Sequence, residues 1–175
     1  MTVLTRERIR KLFEALNEEL RARTVTGEIG LCGGAVMCLV FNARESTKDV
    51  VAIFSPTSVL REAARKVARR LKVPEDWLND AAKGFFLADP PRQTVMELSN
   101  LRVWAPAADY MLAMKCVSAR FDTHDRDDVV FLIAHLGLKT RAQVFEIVSR
   151  YYPRNRVPAK TRFLVEEILE AGADS

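Results

Sequence analysis

The chain has 175 residues, 49% of them hydrophobic, and carries 27 Lys and Arg against 23 Asp and Glu. This length fits one compact domain, or a core with a small helical appendage, and seven Gly and seven Pro without low-complexity runs exclude wholesale disorder. The longest apolar stretches, 35–41 and 129–134, fall far short of the roughly 20 residues that a bilayer span requires. The charged N-terminus has no apolar segment of a secretory signal, so we expect a soluble, cytoplasmic protein with no membrane partner.

Hydrophobic periodicity predicts an α/β (α+β) fold in which strands and helices are mixed up to residue 105 and only helices follow. The predicted elements, in chain order, are a helix at 6–23, a strand at 28–32, a buried helix at 35–41, a strand at 49–54, helices at 58–72 and 75–83, strands at 94–98 and 101–104, a helix at 106–119, a polar turn at 120–125, and helices at 127–136, 142–151 and 159–171. Thr5 is the expected N-cap of the first helix, and Thr140 with Gln143 has capping-box spacing. We expect a small mixed sheet flanked by helices in 1–105, with a helical region, 106–175, packed on it as one compact unit.

The three cysteines, Cys32, Cys38 and Cys116, are odd in number and have no C-x-x-C spacing. Each lies among apolar neighbours, where a reduced cysteine behaves as a small hydrophobic residue. We therefore predict buried free thiols and no disulfide framework.

Two successive glycines, Gly33 and Gly34, separate the strand predicted at 28–32 from the helix at 35–41. Glycines at such a turn let the backbone bend sharply and let phosphate oxygens approach exposed N–H groups. A strand-to-helix turn also needs glycine for its backbone alone, so a purely structural role stays open. Asp49 opens the next strand, and in a compact fold it lies beside the turn, where it would hold Mg²⁺ against a phosphate.

These residues resemble the opening signature of the nucleotidyltransferase superfamily, in particular the bacterial nucleotidyltransferases related to AbiEii-type toxins. That signature is Gly-Gly-Ala, then Arg, then Thr-x-Asp-hydrophobic-Asp; here Gly33-Gly34-Ala35 is followed by Arg44 and by Thr47-Lys48-Asp49-Val50-Val51. Segments 77–85, 110–115 and 120–128 are similar to later parts of the family, so the resemblance covers about residues 28–137. It implies a nucleotidyltransferase-type sheet, a nucleoside triphosphate bound with Mg²⁺ or Mn²⁺, and tRNA, another RNA, or a cognate toxin or antitoxin protein as partner.

The resemblance also implies roles for individual residues. Asp49 would be the catalytic and metal-binding acid, and the nucleotide contacts would be made by Gly33, Gly34, Lys48, Lys83, Lys115 and Asp127. Lys115 lies within the apolar stretch 111–117, so it must snorkel to the surface, pair with Asp127 or Asp128, or meet an anion.

The chain departs from the family signature at Val51, where the second strand carboxylate is expected. Carboxylates at i and i+2 of a strand point to the same side and hold metals jointly, so a lone Asp49 leaves weak, phosphate-assisted metal binding and opposes a two-metal mechanism. Glu97, on the strand predicted at 94–98, is a candidate replacement ligand, although alternating strands routinely carry a surface glutamate. Glu45 is a second candidate.

Basic residues concentrate in two segments, 61–72 and 150–162. Clusters of this kind meet nucleic-acid phosphates, and they are also common on ordinary solvated helix faces. Arg61, Arg65 and Arg69, on the helix predicted at 58–72, are the candidate nucleic-acid contacts.

Three functions follow from these observations. The sequence favours a nucleotidyltransferase-fold protein with impaired or lost transferase activity, acting by binding, for instance in a toxin–antitoxin or phage-defence system. The alternatives are an active metal-dependent NTP transferase that modifies RNA or protein, and a nucleic-acid or protein binding module that uses the helix at 58–72.

Overall fold

A computed structural model describes residues 2–118 and 123–174, which form a mixed α/β fold. The described strands are β1 (Leu4–Thr5), β2 (Gly27–Cys32), β3 (Ser46–Thr47), β4 (Val50–Ser55), β5 (Leu78–Asn79), β6 (Arg92–Glu97) and β7 (Leu101–Pro106). The described α-helices are α1 (Arg6–Ala22), α2 (Gly33–Leu39), α3 (Thr57–Leu71), α4 (Ala108–Ser118), α5 (Thr123–His135), α6 (Arg141–Tyr151) and α7 (Ala159–Ala173). Short 3-10 helices lie at Lys83–Phe85 and Arg154–Arg156.

The chain divides into two compact units. The first unit comprises 1–84 and 92–106, and the second comprises 85–91 and 107–175. The segment 85–91 therefore groups with the helical unit, whereas the sequence suggested one boundary at 105.

The first unit is built on a five-stranded sheet in the order β5-β4-β2-β7-β6. The central strand β2 pairs antiparallel with β4 and parallel with β7, so the sheet is mixed. Ile29, Leu31 and Ala52 point to one face and are fully buried, and helices α1 and α3 contact β7 and β4. The opposite face, called the outer face below, carries Glu28, Gly30 and Cys32 on β2, Val51, Ile53 and Ser55 on β4, and Arg102 and Trp104 on β7.

Local sequence signals explain most of these elements. Thr5 caps α1 by accepting a hydrogen bond from the Arg8 backbone N–H, as predicted. Gln143 and Thr140 complete the predicted capping box at α6. In the second unit α4 is the central helix, because its residues from Tyr110 to Val117 are all buried and it contacts α5 and α6.

The helix predicted at 75–83 is wrong. Leu78–Asn79 forms the short edge strand β5, which pairs in parallel with Val50 and Val51 of β4. The buried Trp77 holds this segment by donating its indole N–H to the Ala64 carbonyl at 3.0 Å. Asn79 also bonds the backbone of Asp76 and Ala81, and local side-chain bonds of this kind compete with helix formation.

Smaller differences concern a turn and an unpredicted pair of strands. Residues 123–125, predicted as part of a polar turn, belong to α5, and the remaining turn residues 120–122 lie outside the described residues. The strands β1 and β3 form a separate antiparallel pair, which was too short to give a periodic signal in the sequence.

Within the described residues, no helix combines the length and apolarity required for crossing a membrane.

Candidate functional site

Gly33 and Gly34 form the turn from β2 into α2 and are the first two residues of that helix, whereas the sequence predicted a helix that begins only at Ala35. Gly33 has φ +61°, a backbone conformation that favours glycine. A methyl group on Gly34 would lie 2.5 Å from Thr47 Oγ1 and 3.0 Å from Arg44 Nη1, so these side chains pack directly against its backbone. Backbone conformation and close packing therefore account for glycine at both positions. The helix α2 has only 7 residues, so its N-terminus is weak evidence for an anion-binding site.

The register of the sheet places Val51, two residues after Asp49, beside this turn. Cys32, immediately before Gly33, pairs with Val51 across β2 and β4. Asp49 precedes β4, and its carboxylate accepts a hydrogen bond from the Asn79 amide at 2.9 Å. The Thr47 hydroxyl donates to the Asp49 carbonyl at 3.2 Å.

These contacts define a polar group that we call the turn cluster. Its members are Gly33, Gly34, Arg44, Thr47, Asp49 and Asn79. The cluster combines one guanidinium, one carboxylate, a hydroxyl and an amide at the end of β2 and the start of β4. An arginine in such a cluster can hold a phosphate, while Thr47 and Asn79 fix the position of Asp49 through their hydrogen bonds.

The carboxylates around the turn cluster do not fit a two-metal centre. Asp49 is its one acidic member, and Val51 occupies the position two residues further along, on the outer face. Within the described residues, no group of three or more His, Cys, Asp or Glu side chains is arranged to hold a metal ion. A two-metal clamp needs carboxylates on both sides of the reacting phosphate, so we derive no metal-dependent step from this site.

Glu97 lies at the other end of the sheet. It pairs with Arg102, Arg102 pairs with Glu28, and Glu28 pairs with Ser55, the last residue of β4. Asp49 precedes the first residue of β4, so the two carboxylates are separated by roughly 20 Å along the strand direction alone. They do not share one metal site, and Glu97 instead forms an exposed ion pair with Arg102 at 3.4 Å.

The two predicted nucleotide-binding lysines of the first unit are both exposed. Lys48 precedes Asp49 in the chain, and Lys83 begins the short 3-10 helix Lys83–Phe85. Neither side chain forms a hydrogen bond or ion pair within the described residues. Their proposed contacts with a nucleotide therefore stay predictions from the resemblance alone. Glu45 is also exposed, and its backbone carbonyl accepts from the Cys38 thiol at 3.7 Å.

Lys115 belongs to the second unit, where two acids surround it. Its side chain is only 9% exposed, and its ammonium lies 2.7 Å from Asp125 and 2.8 Å from Asp128. Asp128 is itself 2% exposed, so this is a buried ion pair of the kind that the sequence left open. Asp127, predicted as a nucleotide contact, is exposed and is not one of the acids that hold Lys115.

The basic residues of α3 mostly face acids. Arg61 lies 3.0 Å from Asp80, and Arg69 lies 2.9 Å from Glu75. Lys66 and Arg70 both approach Glu19. Arg65 has no such partner in the part of the chain that the structure describes. Ion pairing leaves this helix much less positive than its sequence suggests, which weakens the case for nucleic-acid binding there.

A second polar cluster lies further along the outer face. Trp104 packs flat on Gly30, where a methyl group would overlap the indole ring. Its indole N–H donates to Glu28 at 2.9 Å, and the Arg92 guanidinium lies 3.9 Å from the ring centroid. The adjacent cavity of about 280 Å³ is shallow and includes Ile53 and Ser55. This arrangement stabilises the sheet face through cation–π and hydrogen-bond contacts.

The three cysteines are buried thiols, as predicted. Burial raises the pKa of Cys116 to about 12. The pKa of Cys38 is also raised, chiefly by burial, with a smaller opposing effect of Arg6. A thiolate is the reactive form of cysteine, so these environments disfavour a nucleophilic role.

Arg44, Thr47 and Asn79 are members of the turn cluster that had no site assignment from the sequence. The spacing Arg44, Thr47, Asp49 was visible as part of the family signature. Asn79 gave no signal, because it lies in the segment that was predicted as a helix.

Comparisons with protein-family models, curated proteins and solved structures find no match to this chain.

Proposed function

We propose that the turn cluster binds the phosphates of a nucleotide and that this protein has an impaired or lost nucleotidyltransferase activity. The observation that carries the proposal is the position of Arg44 and Thr47 against Gly34, with Thr47 bonded in turn to the Asp49 carbonyl. Arg44 supplies the positive charge for a phosphate. Thr47 and Asn79 hold Asp49 in place by donating to its carbonyl and its carboxylate.

Val51 supports the second half of the proposal. Val51 lies two residues after Asp49 and points to the outer face of the sheet. An acid there would give the cluster a second carboxylate, whereas valine gives it a methyl surface. A site with one carboxylate holds Mg²⁺ mainly through the phosphates of the ligand, so binding is retained while the chemistry is lost.

The test restores the missing acid. Val51→Asp places a second carboxylate two residues from Asp49, and Ile53→Asp is the matched control because Ile53 is a half-buried residue two positions further along the same outer face. Wild type and both variants are assayed for incorporation of α-labelled and γ-labelled NTPs into total tRNA and into the protein itself, with Mg²⁺ or Mn²⁺. Equilibrium dialysis of labelled ATP measures binding separately.

We expect wild type to bind ATP without incorporating label. Arg44→Ala should weaken ATP binding by about tenfold, as expected when a charge-assisted phosphate contact is lost. Val51→Asp should strengthen metal-dependent binding, and Ile53→Asp should not. Absence of ATP binding by wild type, or equal binding by wild type and Arg44→Ala, would contradict the proposal for the turn cluster. Incorporation by wild type that is lost in Asp49→Asn would instead establish an active transferase.

A further inference from the structure

The second unit contains a groove between α6, the 3-10 helix Arg154–Arg156 and the start of α7. Its volume is about 520 Å³, which is large enough for several side chains of a bound partner. Phe145 and Val157 form its apolar floor, and Arg141, Arg154 and Arg162 lie around it. All of these residues belong to one compact unit, so the groove is a feature of that unit alone.

The charge around the groove is positive. Its lining contains the three arginines and one acid, Glu146, so positive side chains predominate there. Arg141 is paired with Glu166, whereas Arg154 and Arg162 have no ion-pair partner within the described residues. Outside the lining, residues 147–165 contain three further cations, Arg150, Arg156 and Lys160, and no Asp or Glu, and Arg150 lies 3.4 Å from Asp109.

We propose that this groove binds an acidic protein segment that places an apolar side chain on the floor between the arginines. An arginine guanidinium is a planar fork that matches a carboxylate with two parallel hydrogen bonds. The apolar floor favours a peptide over a nucleic-acid backbone, since phosphates would leave Phe145 and Val157 without an apolar partner. Glu146 repels acidic side chains of the partner near its own position, so the bound peptide has one preferred alignment in the groove.

The probe is a short, fluorescently labelled synthetic peptide in which Glu and Asp surround a central Leu-Phe pair. Control peptides replace either the acids by Gln and Asn or the Leu-Phe pair by Ser-Ser. Fluorescence anisotropy with the full chain measures the dissociation constant at low and at higher salt. We expect binding of the parent peptide, at least about tenfold weaker binding of each control, and a loss of affinity as salt increases.

Variants of the protein locate the site. Arg154→Glu and Arg162→Glu should each weaken peptide binding by about tenfold, because each replaces attraction by repulsion at the rim. Arg156→Glu is the matched control, since Arg156 is an exposed arginine beside the groove that does not line it, and the change in net charge is identical. Ala142→Trp fills the groove from an exposed position at the start of α6 and should abolish binding without changing charge.

Three results would overturn this inference. The first is absence of binding of the parent peptide to wild type at low salt. The second is an equal effect of Arg156→Glu and Arg162→Glu, which would indicate unspecific attraction by net charge. The third is a single-stranded RNA oligonucleotide that binds more tightly than the peptide and displaces it, which would assign the groove to nucleic acid. The ATP-binding test of the turn cluster uses residues of the other unit, so either proposal can fail without the other.

Discussion

The two units treat their charged residues differently. In the second unit, Lys115 is buried between Asp125 and Asp128 at 2.7 and 2.8 Å. In the first unit, the cations of α3 form pairs of similar length, such as Arg69 with Glu75 at 2.9 Å, but both partners are more than half exposed. The nitrogen–oxygen distances in these pairs are similar, and the pairs differ in the solvent exposure of their side chains.

The difference in exposure changes what each pair contributes. Water screens an exposed pair and competes for its hydrogen bonds, so such a pair adds little to stability. A buried pair has already lost its hydration, and removal of one partner leaves an uncompensated charge in a poorly polarisable interior. Lys115 therefore has a structural role that is established by its contacts, and any role in ligand binding would be additional to it.

The largest expected effect comes from Lys115→Met, which keeps the approximate length of the side chain and removes its charge. It leaves Asp125 and Asp128 without this cation, and we expect the free energy of unfolding to fall by about 3–5 kcal/mol. Urea denaturation followed by circular dichroism measures this change. Lys139→Met, at an exposed position of the same unit, should change stability by no more than about 0.5 kcal/mol. Equal stability of Lys115→Met and wild type would contradict the structural role of the buried pair and would favour a role of Lys115 in ligand binding.

An intermediate effect is expected at Glu19 of α1. Its side chain is 10% exposed and lies 3.3 Å from Lys66 and 3.5 Å from Arg70, but these cations are 66% and 52% exposed. Because only one side of the contact is buried, Glu19→Gln should reduce the free energy of unfolding by about 1 kcal/mol. The neighbouring Glu18 is exposed and serves as the control, with Glu18→Gln expected to be neutral. Urea denaturation measures both variants. A loss of stability in Glu19→Gln as large as that in Lys115→Met would show that side-chain exposure does not determine what an ion pair contributes to stability.

Much of the fold was predictable, because hydrophobic periodicity marks α1, β2, β4 and α3 clearly. The strand-to-helix turn at Gly33-Gly34 was also evident, since its residue types and its position between two periodic segments agree. The failure at 75–83 has a physical reason. Trp77 and Leu78 are buried by contacts distant in sequence, including the bond from the Val50 N–H to the Trp77 carbonyl, and tertiary pairing of this kind overrides local preference.

The candidate sites were only partly predictable. The sequence placed Asp49 and Val51 near the glycine turn, and the pairing of Cys32 with Val51 shows why that inference works for adjacent antiparallel strands. The sequence alone did not indicate the contact between Asn79 and Asp49, because that contact depends on β5. Glu97 was chosen by its local pattern, and only the register of β6 and β7 reveals that it lies at the opposite end of the sheet.

The two basic segments illustrate the same limit. Both were equally basic in sequence, and nothing in their spacing distinguishes them. In the structure, four of the cations of α3 lie beside acids of other segments, whereas Arg154 and Arg162 line a groove without such partners in the described part of the chain. Ion pairing across the fold cannot be read from a single segment, so the basic residues most available to a partner were not those assigned first.

The smallest expected effect is at Arg69, where side-chain exposure is 69%, against 55% for Glu75. A double-mutant cycle with Arg69→Ala and Glu75→Ala should give a coupling energy of no more than about 0.5 kcal/mol, which decreases as salt is added. Thermal denaturation at low and high ionic strength measures both quantities, and Arg65→Ala is the control because Arg65 is an exposed arginine on the same helix. A coupling well above 1 kcal/mol would mean that the α3 pairs are held rigidly. A weak coupling together with RNA binding that is lost in Arg69→Glu would show that a partner phosphate can displace Glu75, and would return α3 to the candidate interfaces.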